Sequence, residues 1–234
     1  MTPFRNIFID LDDTIWDFTA NSHIALHVMY SDLEMARIFP DYEAFSTAYY
    51  AKNSELWRLY HHGEIDKDFL IIERYAHLLR EVGYPDKDNL LASKMNEYYL
   101  DVLAQQTRLV PHAIELLDDL RAKGYNLYII SNGFIEVQQR KLESAGIAQY
   151  FKRIVLSDEI GVNKPDRRLF DYALQVANCR AEETLIIGDN YDADILGGMH
   201  AGWGQIYFDR NHRGHTAEEP QYTVHTLREV MDIL

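Results

Sequence analysis

Short apolar runs rich in β-branched and aromatic residues recur along the chain at Asn6–Leu11, Tyr125–Ser131, Arg153–Ser157, Thr184–Gly188 and Gln205–Phe208, and their length and composition predict buried strands. Between most of them the apolar positions return every three or four residues, as in Ala113–Lys123 before Gly124 and Ile135–Ala145 before Gly146. That spacing predicts helices with one buried face, each closed by a glycine that tolerates a left-handed backbone. Strands alternating with helices predict an α/β fold, a Rossmann-like parallel sheet wound with right-handed crossovers.

The interval between the first two strands is far too long for one crossover. It carries helical patterns at Tyr42–His62, Lys67–Val82 and Asp88–Leu103, punctuated at Gly63 and at Gly83-Tyr84-Pro85. This predicts an all-helical domain over 16–104, inserted into a core made of 1–15 and 105–234. Nine of the sixteen tyrosines fall between Tyr30 and Tyr99, with Trp57 among them. Such rings build the core of a small helical domain or stack on a planar ligand. Trp57 and Tyr60, three apart on one helix face, are the candidates for ligand contact. His61 and His62 lack partners at metal-ligand spacing and read as surface residues.

Composition narrows the classes. With 47% hydrophobic and 26% charged residues the chain has the make-up of a globular protein, and its formal charge of -14 opposes nucleic acid and anionic membranes. Cys179 is the single cysteine, which excludes an intramolecular disulfide and a thiolate zinc site. No window has the length of a membrane span, and the first apolar run meets Asp10 too soon for a secretory leader. The expectation is a soluble cytoplasmic protein, monomer or homodimer.

The chemistry lies at the strand ends, where open parallel sheets bind ligands. "FIDLDDTIWD" (8–17) sets Asp10, Asp12 and Asp13 just after the first run; Ser131 and Asn132 follow the second, Lys164 the third, Asp189 and Asp194 the fourth. Each element has a structural alternative: a turn, a helix cap at Asp192, a solvated lysine. Their joint occurrence in order at successive strand ends is what a catalytic site requires.

The motifs Asp10-Leu11-Asp12-Asp13-Thr14, Ser131, Lys164 in "GVNKPD", and Asp189 with Asp194 together resemble the haloacid dehalogenase-like (HAD) hydrolases. "SNGFIEVQQRKLESAGIAQYF", "IIGDNYDADILGGMHAGW" and "LWRLYHHGEI" are similar to the bacterial nucleotidases of that superfamily that act on pyrimidine and non-canonical nucleotides. The resemblance implies a helical cap over the strand ends and magnesium held by the Asp10 carboxylate, the Asp12 main-chain carbonyl and Asp189, with Asp194 supporting a bound water and Lys164. It further implies that Asp10 attacks phosphorus, that Asp12 serves as acid and then base, and that Ser131, Asn132 and Lys164 hold the phosphoryl group. Asn190 stands where close relatives often carry serine or threonine, and His112 where glycine is usual.

Electrostatics gives the reason for a cation. A carboxylate approaching a phosphate dianion meets repulsion of about 8 kcal/mol at 4 Å in an effective dielectric near 20. An exposed lysine, worth at most about 1 kcal/mol, cannot offset it. Oxygen-only ligands favour magnesium. Acting as acid, Asp12 must carry a proton near neutral pH, which burial or nearby carboxylates would promote. The resulting expectation is a magnesium-dependent phosphomonoesterase, a nucleoside 5'-monophosphate (pyrimidine) phosphatase working through an aspartyl phosphate. A sugar-phosphate phosphatase or a phosphomutase similar to β-phosphoglucomutase stays open as the alternative, then a 2-haloacid dehalogenase. A binding module without turnover ranks last, because Asp10 and Asp12 are both present.

Overall fold

A computed structural model describes residues 4–215 and 218–234. Among these, six parallel strands form one sheet: β1 (Asn6–Ile9), β2 (Asn126–Ser131), β3 (Arg153–Leu156), β4 (Thr184–Gly188), β5 (Gly204–Phe208) and β6 (Tyr222–Val224), in the order β3-β2-β1-β4-β5-β6. Strand order reverses between β1 and β4, the switch point at which such sheets open a crevice. β6, a three-residue edge strand, escapes the periodicity argument because "YTV" is too short to display a pattern.

The register explains the apolar runs. Tyr128, Phe8 and Ile186 lie opposite one another across β2, β1 and β4, so their side chains share a face. There they pack with Leu169, Phe170 and Ala173 of α7 (Arg167–Ala177) and with Trp203. Phe8 stacks on Tyr128 at 4.7 Å and meets the Trp203 ring at 4.8 Å. Ile7, Phe8 and Ile9 are fully buried, each side chain contributing roughly 1.5–3 kcal/mol of transfer free energy. That apolar scaffold holds the polar residues that follow it.

Two compact units divide the chain: Met1–Thr19 with Thr107–Leu234, and Ala20–Gln106. The first holds the sheet together with α5 (Ala113–Ala122), α6 (Ile135–Ser144), α7, α8 (Gly197–His200) and α9 (Leu227–Ile233). The second is helical, with α1 starting just before it (Phe18–Asp32), then α2 (Tyr42–His61), α3 (Lys67–Glu81) and α4 (Leu90–Ala104). Asp41 caps α2 and Asp66 caps α3 through side-chain acceptors, satisfying amides that have no partner inside the helix.

Inside the helical unit Tyr49, Tyr75 and Tyr99 are buried and their rings pack on one another. Arg74, also buried, donates to Asn53 Oδ1 (3.3 Å) and Asn96 Oδ1 (2.5 Å) and lies over the Tyr75 and Tyr99 rings. Much of the tyrosine cluster thus serves as core. Trp57 and Tyr60 are half-buried and meet edge to face at 5.6 Å. His62 is exposed, but His61 is half-buried beside Trp57, so the surface assignment of His61 is corrected: the aromatic neighbour one turn back covers it.

Candidate active site

Past Ile9 the β1 ladder extends one bond further, from the Asp10 amide to Ile187 O at 2.9 Å. The chain then turns through Leu11–Trp16, with Asp13 in the left-handed region (φ 59°). Asp13 accepts from the Thr19 amide (2.9 Å) and hydroxyl (2.8 Å), a capping role of the kind expected of a post-strand aspartate. Asp10, by contrast, faces the ends of the neighbouring strands.

Lys164 organises that place. Its backbone amide donates to Asn132 Oδ1 (2.7 Å) and its carbonyl accepts from Asn132 Nδ2 (3.1 Å). The buried ammonium donates to Asp10 Oδ1 (2.6 Å), Asp194 Oδ1 (2.6 Å) and Ile130 O (2.9 Å). All three of its hydrogens are directed at protein acceptors. The Asn132 side chain is likewise engaged by the Lys164 backbone, through its oxygen and one of its two amide hydrogens. Ser131 accepts from the Gly133 amide (3.0 Å) and the Gln138 side chain (2.7 Å); its own hydroxyl hydrogen is left to donate.

The fourth strand ends at Gly188, where a Cβ would overlap the Asp194 carboxylate. Asn190 caps the following widened turn of helix, Tyr191–Leu196, by accepting from the Ala193 amide (3.0 Å). The capping residue is therefore Asn190 rather than Asp192, because it is the Asn190 side chain that reaches the amide three residues on. This turn carries Asp194 into the interior, where its Oδ2 accepts from the Asn190 amide (3.1 Å). Thr14, fully buried, donates to Asp189 Oδ1 (3.3 Å) and accepts from the Asp189 amide (3.1 Å), tying the first loop to the fourth.

Asp10, Asp189 and Asp194 consequently present carboxylate oxygens within 4.8 Å of one another. Three carboxylates face one ammonium, an excess of negative charge that a divalent cation would neutralise. Burial pushes Asp10 up from 3.8 to about 7, with Lys164 opposing and Asp194 adding to the rise. Asp189 is driven well above the carboxylate range by burial and then by Asp10 and Asp194. Burial pulls the Lys164 ammonium down, but Asp10 and Asp194 outweigh it and raise it overall. Carboxylates so strongly disfavoured as anions fit a site built for a hard cation.

Asp12 points elsewhere. Its Oδ1 accepts from Lys141 Nζ (2.8 Å) and its Oδ2 from Gln138 Nε2 (2.9 Å), both on α6. Its carboxylate is engaged by an ammonium and an amide of α6, outside the acidic trio but near enough to Asp10 to add to the rise in the Asp10 pKa. Sequence reasoning assigned nothing to Gln138 or Lys141 and treated Thr14 only as part of a motif. The three-residue spacing of Gln138 and Lys141 places them on one helix face, yet an amide and an ammonium in a helix ordinarily face water.

Doubly wound topology with an acidic site at the switch point places the chain among α/β proteins that bind their ligands at the strand ends. The family model for "Hydrolase: haloacid dehalogenase-like hydrolase" matches residues 4–202, and the chain belongs to that family. It is 33% identical over 230 residues to the pyrimidine 5'-nucleotidase YjjG of Escherichia coli, covering 97% of this chain and 96% of that protein. It is 31% identical over 233 residues to the pyrimidine 5'-nucleotidase PynA of Streptococcus pneumoniae, covering 99% and 95%. A magnesium-bound crystal structure of the HAD-hydrolase YfnB from Bacillus subtilis superposes with a TM-score of 0.86 at 30% identity over 98% of both chains. The protein is an enzyme, a HAD-family hydrolase.

Proposed function

We propose that the protein is a magnesium-dependent phosphomonoesterase whose substrate is a nucleoside 5'-monophosphate bearing a pyrimidine. The observation that carries this reading is the buried Asp10 carboxylate, held by Lys164 within 4.8 Å of the Asp189 and Asp194 oxygens. The substrate class rests on full-length likeness to two pyrimidine 5'-nucleotidases.

Asp10, the Asp12 main-chain carbonyl and Asp189 would hold the magnesium, with Asp194 in support; bound there, the ion would offset the repulsion between carboxylate and phosphate. Asp10 attacks phosphorus in line, its oxygen–phosphorus bond forming as the bond to the nucleoside oxygen breaks. Asp12 delivers a proton to that oxygen, then accepts one from the water that attacks the aspartyl phosphate, so that phosphate leaves and Asp10 is restored. The Ser131 hydroxyl and the amides around Asn132 donate to the phosphoryl oxygens, and Lys164 supplies positive charge beside them. Trp57 and Tyr60 are proposed to contact the base.

The test is phosphate release from a panel of pyrimidine and purine monophosphates, sugar phosphates and a 2-haloacid, with magnesium and with chelator. We expect turnover of pyrimidine monophosphates that requires the metal and that falls about a thousandfold or more in Asp10→Asn. Chelator-resistant turnover, full activity of that variant, or halide release in place of phosphate would overturn the reading.

A further inference from the structure

Lys141 is an ammonium with almost no exposure, its side chain 4% accessible, whose ion pair is with Asp12. Burying an ammonium is costly unless it is paired and well surrounded. Here the Asp12 carboxylate lies 2.8 Å away, and the Trp16 and Phe18 rings lie 4.5 and 5.3 Å from Nζ. One turn earlier on α6, Gln138 donates to the other Asp12 oxygen and to Ser131, and Gly133 lacks the Cβ that would displace the Gln138 amide. Both oxygens of one carboxylate are thus grasped from a single helix.

We propose that Lys141, assisted by Gln138, is a positioning residue that orients the Asp12 side chain for proton transfer to the leaving group: Oδ1 stays on Lys141, and the proton to be delivered sits on Oδ2, whose remaining lone pair still accepts from Gln138. This rests on the phosphatase reading above. Lys141 is directed at the Asp12 carboxylate and the Trp16 and Phe18 rings, so it acts through Asp12. An untethered Asp12 rotates freely about its side-chain bonds, and the benefit of general acid catalysis, typically 10²–10⁴-fold, is then partly lost.

The leaving group separates this role from a merely structural one. Expulsion of a nucleoside alkoxide needs the proton; expulsion of p-nitrophenolate needs it far less. In Lys141→Met we expect kcat/KM for a nucleoside 5'-monophosphate to fall about 10–100-fold, and to fall at least tenfold further than kcat/KM for p-nitrophenyl phosphate. Lys141→Arg restores the ratio to within about threefold of wild type. Gln139→Ala, on the exposed side of the same helix, leaves the ratio unchanged. Equal losses on both esters, or no loss, would overturn the positioning role, as would an arginine variant no better than methionine. If Lys141→Met does not fold, Lys141→Gln carries the same comparison. Wild-type enzyme inactive on both esters would sink the phosphatase reading and this inference with it; an active wild type with an unmoved ratio in the variant sinks this inference alone.

Discussion

A single side chain, Asp10, carries two opposed demands. In the proposed reaction it must ionise to attack phosphorus, yet burial holds its proton up to about 7 against an ordinary 3.8. Between those values the folded protein without metal binds protons that the unfolded chain releases, so stability falls as pH rises through the window. We expect urea titrations of chelated wild-type protein and of Asp10→Asn to show the wild type losing stability relative to the variant from about pH 4 to pH 7. Saturating magnesium, which favours the carboxylate form, should shrink that difference. A difference that does not change with pH would contradict the burial argument. Beside this, His112 adopts φ 68°, a left-handed backbone that glycine takes at no steric cost.

Among the elements, the widened turn Tyr191–Leu196 matters most to the site, because it turns Asp194 inward to Lys164. Its start is pinned by the Asn190 side chain. Asn190→Ala should cost about 0.5–2 kcal/mol in urea unfolding, while Asn190→Ser, which keeps an oxygen acceptor, should stay within a few tenths. The alanine variant should also show a smaller rise in midpoint on adding magnesium, since Asp194 would be less well held. Equal stability of the two variants would remove the cap from the account. Helices were readable here because apolar spacing is local: the pattern at Ile135–Ala145 yields α6 (Ile135–Ser144). That α6 also grips Asp12 was not readable, because the partner is 129 residues away in sequence.

At the scale of the whole molecule, the helical unit Ala20–Gln106 encloses its own core around Tyr49, Tyr75 and Tyr99. We expect a fragment of residues 20–106 to keep helical circular dichroism and unfold cooperatively on heating; a featureless melt would show that it depends on the other unit. The sheet follows a different rule. Its order, β3-β2-β1-β4-β5-β6, rests on which crossover lies on which face, and a parallel strand pattern carries no pairing information of its own.

What the chain determined unaided was what depends on neighbours in sequence: buried strands from β-rich runs, helices from their period, and acidic and basic residues set at strand ends by motif. Tertiary structure alone decided how those ends converge. It committed the Lys164 ammonium to two carboxylates, tied the Asn132 side chain to the Lys164 backbone, and buried Gln138 and Lys141 against Asp12. The physical reason is desolvation. Whether a polar side chain is a solvated surface group or part of a site depends on what excludes water from it, and that is supplied by segments distant in sequence.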